Sequence, residues 1–165
     1  MKERIISLLF ELLRNSNRSD RELAKALGVS QPTVTRTRRK LVQDGFIREY
    51  TVIPDFEKLG YEIISLTFLK FKEAEPQLIK KAREWAKKQP CIVFASDGEG
   101  VGMNSVMISV HENYSGFSTL ISDLRQEWQP YLTDIQSFMI SVNRKELLVK
   151  PFSLRYLAKT EKETE

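Results

Sequence analysis

Ser19-Asp20-Arg21-Glu22-Leu23-Ala24-Lys25-Ala26-Leu27-Gly28-Val29-Ser30-Gln31-Pro32-Thr33-Val34 is the stretch from which the architecture of this chain can be read. Ser19 and Glu22 have the spacing of a capping box, in which a serine hydroxyl accepts from the third helical amide and the glutamate reaches back to the cap. The short helix they open stops at Gly28. Ser30 is a second N-cap, Pro32 sits in a first turn where its missing amide costs nothing, and the next helix runs to Asp44-Gly45. Two helices meeting across so short a glycine-containing turn form a helix-turn-helix. Its inner positions are Leu23, Ala24 and Leu27 on the first helix and Val34 and Leu41 on the second, with Gly28 at the turn.

Upstream, Ile5, Leu8, Leu9, Leu12 and Leu13 recur at helical spacing, so residues 3–14 are expected to form an amphipathic helix packed on the pair. Downstream, Phe46–Val52 is rich in aromatic and β-branched residues and reads as a strand, the beginning of a wing.

Between Ser30 and Leu41 the chain places four cations and no anion. A run of cations alone is ordinarily a solvated helix face. On the second helix of a helix-turn-helix, it makes double-stranded DNA the expected partner. Gln31, Thr33, Thr35 and Arg36 lie early in that helix, where base edges are read; Ser30, Arg38, Arg39, Lys40 and Arg48 are candidates for phosphate oxygens. Arg38, four residues after Val34, occupies a position where an apolar residue is expected. Either its alkyl stem lies along the core with its head in water, or the helix is rotated.

The run Glu22–Val34, with Leu41, Asp44-Gly45-Phe46-Ile47, Tyr50, Ile53-Pro54-Asp55 and Leu59-Gly60-Tyr61, resembles the Lrp/AsnC (feast/famine) transcriptional regulators, particularly the archaeal ones. The resemblance covers residues 1–61. It implies a regulator that binds pseudo-palindromic DNA as a dimer or a higher oligomer, a tetramer or octamer, through a winged helix-turn-helix, with a second domain that dimerises and takes a small-molecule effector such as an amino acid.

The remaining chain supplies that second domain. A strand over residues 63–71, a helix from Glu75-Pro76 to Gln89, strands at Cys91–Ser96 and Met103–His111, a helix capped by Asn113 and a last strand at Gln136–Val142 give the order βαββαβ. This is a ferredoxin-like arrangement with both helices on one face of an antiparallel sheet. The fold class is therefore α+β, with a head over residues 1–53, a hinge at 54–61, a ferredoxin-like domain at 62–143 and an apolar C-terminal extension at 144–165 that packs on its own or a neighbouring subunit and ends in a disordered Thr160–Glu165. If Val106, Ile108, Val110, Phe138, Ile140 and Val142 face the helices, the other face presents Ser65, Thr67, Leu69, Ser105, Met107, Ser109, Ser137, Met139 and Ser141, small and uncharged. Such a face is suited to a second sheet, and hence to a homodimer.

The glycine-rich segment Asp97–Gly102 lies between two strands, which argues against a nucleotide loop. The resemblance implies an effector site there, with Asp97, Gly98, Gly100, Gly102 and Asn104 as candidates. One histidine and one cysteine cannot build a multi-His or multi-Cys metal site, and no cofactor is expected. A thinner resemblance, at His111–Tyr114, is to the siroheme decarboxylases, enzymes of the same two-domain shape acting on a heme precursor; no cluster of arginines for propionates lies near it, so a non-enzymatic regulator is the preferred reading.

The chain has 165 residues, 41% hydrophobic and 29% charged, with a net charge of +4. Residues 1–60 hold 12 Lys/Arg against 8 Asp/Glu and residues 61–165 hold 14 of each, so the excess belongs wholly to the head. No apolar run approaches the roughly 18 residues of a membrane span. With a lone cysteine, a cytoplasmic protein that needs no membrane is expected.

Overall fold

In the computed structural model, which describes residues 2–72 and 75–158, the chain divides into two compact units. The first comprises residues up to Ile53 together with the segment from Lys150; the second runs from Pro54 to Val149.

The first unit holds helices α1 (Lys2–Arg14), α2 (Asp20–Leu27) and α3 (Gln31–Gln43). Both expected caps form. The Glu22 amide donates to Ser19 Oγ at 3.3 Å while the Ser19 amide donates to Glu22 Oε2 at 2.7 Å, and the Thr33 amide donates to Ser30 Oγ at 3.4 Å. Gly28 ends α2 with φ +63°, a left-handed conformation that side chains with a Cβ disfavour. Ile5, Leu8 and Leu12 of α1, Leu23 and Ala24 of α2, and Val34 and Leu41 of α3 form the buried core, with Leu9, Leu27, Val29 and Ile47 against it.

The strand expected over Phe46–Val52 does not form; these residues run without regular structure after Gly45. Among the described residues of this unit there is no other strand, and a lone strand cannot satisfy its backbone groups. The C-terminal segment returns to this unit, where a 3₁₀ turn at Leu154–Leu157 packs on α1. The disorder expected of Thr160–Glu165 concerns residues outside those described.

The second unit is β1 (Ile63–Phe71), α4 (Pro76–Lys88), β2 (Ile92–Gly100), β3 (Met103–His111), α5 (Tyr114–Trp128) and β4 (Leu132–Ser141), the expected βαββαβ order. The antiparallel sheet has the order β2-β3-β1-β4 of a ferredoxin-like domain. Two strands run longer than expected. β4 begins at Leu132, and β2 continues through Gly98 to Gly100, so the hairpin turn is only Val101-Gly102, with φ +47° and +77°. Glycines are compatible with this edge strand because the ladder needs only backbone groups, and a register shift between Asp97 and Gly100 absorbs the irregularity.

The assignment of sheet faces is reversed. Ser65, Thr67 and Ser109 are fully buried, and Leu69 and Met107 join Leu120, Leu124 and Trp128 of α5 in one core. Val106, Ile108, Phe138 and Ile140 lie on the opposite, open face with Ile64, Leu66 and Phe68, and Phe138 is 66% exposed. The reason is volume: the helices contribute the large side chains, so the sheet beneath them contributes small ones. The buried hydroxyls are satisfied, Ser65 Oγ with Thr67 Oγ1 at 3.1 Å and Thr67 Oγ1 with Oγ of the exposed Ser137 at 2.9 Å.

Candidate nucleic-acid interface

Helical spacing places Gln31, Thr35 and Arg39 in one row of α3 and Pro32, Arg36 and Lys40 in the next, and these six residues with Gln43 and Asp44 line a single open groove on the head. Gln31, Arg36, Arg39 and Lys40 are exposed; Val34 and Leu41, on the opposite side, are buried. Ser30 and Thr33 sit at the helix start with their hydroxyl oxygens 2.8 Å apart, so both are engaged in the cap. The Lys40 ammonium lies 3.9 Å from the Asp44 carboxylate. Arg48 is exposed in the irregular segment after α3.

Two candidates are turned inward to their own head. Arg38 donates through Nε to Asp20 Oδ1 at 2.9 Å and through Nη2 to the Arg18 carbonyl at 3.3 Å, and its guanidinium lies 6.0 Å from the centre of the Tyr50 ring. The head of Arg38 is thus held by the Asp20 carboxylate. Thr35 Oγ1 donates to the other oxygen of the same carboxylate at 2.6 Å. Asp20 thus clamps two residues of α3 onto the start of α2. Arg18 in turn pairs with Glu11 of α1, which also holds Arg14. Asp20 and Arg18 escaped the sequence reading; the only signal for them is the misplaced cation Arg38, which demands an anion 18 residues away.

The hairpin candidates do not form one open loop. Asp97 accepts from Arg83 Nη2 at 2.6 Å and from Ser105 Oγ at 3.3 Å. Asn104 accepts from the Phe71 amide at 2.9 Å and donates to the Phe71 carbonyl at 2.7 Å, acting as an extra rung between β3 and the end of β1. Gly98 and Gly100 lie in β2 and Gly102 in the turn.

His111 is buried, with Nε2 2.8 Å from Ser109 Oγ and its ring 5.7 Å from that of Phe117. Burial holds its pKa below the ordinary histidine value. Among the described residues no group of three or more His, Cys, Asp or Glu could hold a metal ion. No helix among them is long and apolar enough to cross a membrane.

A family model for winged helix-turn-helix DNA-binding matches residues 1–48. An uncharacterized HTH-type transcriptional regulator of Pyrococcus furiosus is 39% identical over 70 residues, 42% of this chain and 47% of that protein. The match thus spans about half the length of that relative. Among solved structures, PH0061 of Pyrococcus horikoshii is 25% identical with a TM-score of 0.73, covering 91% of this chain and 95% of that one. LrpC of Bacillus subtilis is 26% identical with a TM-score of 0.64 over 82% and 91%. A Neisseria meningitidis transcriptional regulator, solved as an L-Met complex, shares the fold at 17% identity, with a TM-score of 0.73 over 82% and 86%. With a helix-turn-helix head joined to a ferredoxin-like unit, the chain is similar along most of its length to PH0061 and to LrpC.

Proposed function

We propose that the chain is a transcriptional regulator that binds double-stranded DNA through α3 and does so as a homodimer. The observation carrying this reading is the outward face of α3, where Gln31, Arg36, Arg39 and Lys40 are exposed on a helix whose opposite side is locked in a three-helix core. An exposed, cationic second helix of a helix-turn-helix is shaped for the major groove. Gln31, Arg36 and, through its methyl group, Thr35 are the proposed base readers, with Thr33 beside them. Ser30, Arg39, Lys40 and Arg48 are the proposed phosphate contacts, and Arg38 is reassigned as a positioning residue.

The dimer is proposed through the open sheet face. Phe94, Phe138 and Ile140 are exposed there beside Leu66, Phe68 and Ile108, an apolar surface on which a second sheet can pack at about 10 Å. A two-fold axis would then present two copies of α3 to successive major grooves about 34 Å apart. Modulation by a small molecule at the β2–β3 hairpin is proposed on narrower ground, the accessible backbone at Gly98, Gly100 and Gly102 beside the carboxylate of Asp97. A heme-directed enzyme is disfavoured because His111 is enclosed against Ser109 and Phe117.

The test is selection of fragments from genomic DNA by the full chain. The regulator reading expects recovery of fragments sharing a two-fold-related sequence, bound about a thousandfold or more tighter than bulk DNA at physiological salt. Uniform recovery without sequence enrichment would contradict it.

A further inference from the structure

The two helices of the ferredoxin-like unit pack very differently. Four residues of α5, Phe117, Leu120, Leu124 and Trp128, are at most 7% exposed, whereas no residue of α4 is buried. Leu78, Ala82 and Trp85 of α4 face the sheet core yet remain only half-buried. Between α4 and strands β2 and β3 lies a cavity of about 1020 Å³. That is the size of a site for an organic molecule of several hundred daltons, far more than a packing defect.

Its walls include Leu78, Ala82, Trp85, Met107 and Trp128, and the two indoles meet edge to face at 6.4 Å. The charged residues lining it are Lys72, Arg83, Lys87 and Asp97, three cations to one anion. Arg83 bridges to Asp97 at 2.6 Å, and Lys87 pairs with Glu84 at 2.8 Å, outside the lining. Both ion pairs are largely solvent-exposed and can be exchanged for another carboxylate at little cost.

We infer that the space under α4 is a binding site for an amphipathic monocarboxylate, its apolar body held against the half-buried Leu78, Ala82 and Trp85 and its carboxylate at the Arg83–Lys87 rim. An apolar body replaces the contacts that α4 lacks, and a single negative charge complements the rim. The site adjoins the hairpin, with which it shares Asp97 and Asn104, and is separate from the DNA reading.

Trp85 and Trp128 are the only tryptophans in the chain, so their two indole N–H resonances report the site directly. The full chain is titrated with decanoate and, in parallel, with decylammonium. Saturable shifts of both resonances with decanoate are expected, with decylammonium at least about tenfold weaker. Ala82→Phe, which narrows the space beside Trp85, is expected to weaken the shifts, and Arg83→Glu, a change at an exposed position, to weaken decanoate about tenfold or more. Indole resonances that fail to shift saturably, equal response to the two amphiphiles, or undiminished binding in Arg83→Glu would overturn the inference. So would shifts confined to the open sheet face around Phe138. DNA is absent from the titration, so none of these outcomes bears on whether α3 reads DNA.

Discussion

Arg38 and Arg39 are neighbours in sequence with different work to do. Arg38 is half-buried on the Asp20 carboxylate, whereas Arg39 lies in the open groove. Removing the Arg38 charge with Arg38→Met keeps the stem and leaves Asp20 without its ion-pair partner. Thermal melting is expected at a lower temperature, with the slope of log affinity against log salt for DNA unchanged, since no phosphate contact is lost. A slope reduced by about 0.9 would return Arg38 to the phosphate set. His111 offers a second check at this scale. Its folded pKa lies below the ordinary value of about 6.5, so the unfolded chain takes up the proton first as pH falls. The stability this group contributes is complete above about pH 6.5 and is lost below it, down to the depressed folded pKa. The urea midpoint of the wild type should therefore fall more steeply between about pH 7 and about pH 5 than that of His111→Gln. Parallel profiles would count against a buried neutral imidazole.

The elements that were legible in the sequence are those fixed by local chemistry. Ser19 with Glu22, Ser30 with Pro32, and Gly28 between them each act within a few residues, so α2, α3 and their turn follow from spacing alone. The sheet faces were not legible, because β1 carries Ile64, Leu66 and Phe68 on one parity and Ser65, Thr67 and Leu69 on the other, and apolar content points to the wrong one. Burial there is set by how much volume α5 brings with Phe117 and Trp128, a relation between distant segments. The strand expected at Phe46–Val52 failed for a related reason: β-propensity does not supply a pairing partner. Asn104, a candidate effector residue, bridges both backbone groups of Phe71 at the end of β1, a contact that spacing alone does not announce. Asn104→Ala is expected to cost about 1–2 kcal/mol in chemical denaturation, by leaving those groups without their amide partner. No loss of stability would leave the residue open to a binding role.

At the scale of the molecule, the proposed regulator divides its labour, with the charge excess of the head assigned to reading DNA and the apolar open face of the sheet to self-association. Phe138, 66% exposed on the edge strand β4 of that face, is the residue whose substitution separates the two. Phe138→Asp should shift light scattering from twice the 19.2 kDa chain mass to a single chain, with the head still folded. An unchanged dimer mass would move the interface elsewhere. The central claim, that the outward face of α3 holds the DNA backbone, is tested most directly by the salt dependence of DNA affinity for the full chain and for the double variant Arg39→Ala, Lys40→Ala. The slope of log affinity against log salt is predicted to fall in magnitude by about 1.8, with affinity reduced for all DNA sequences alike; an unchanged slope and affinity would contradict the account.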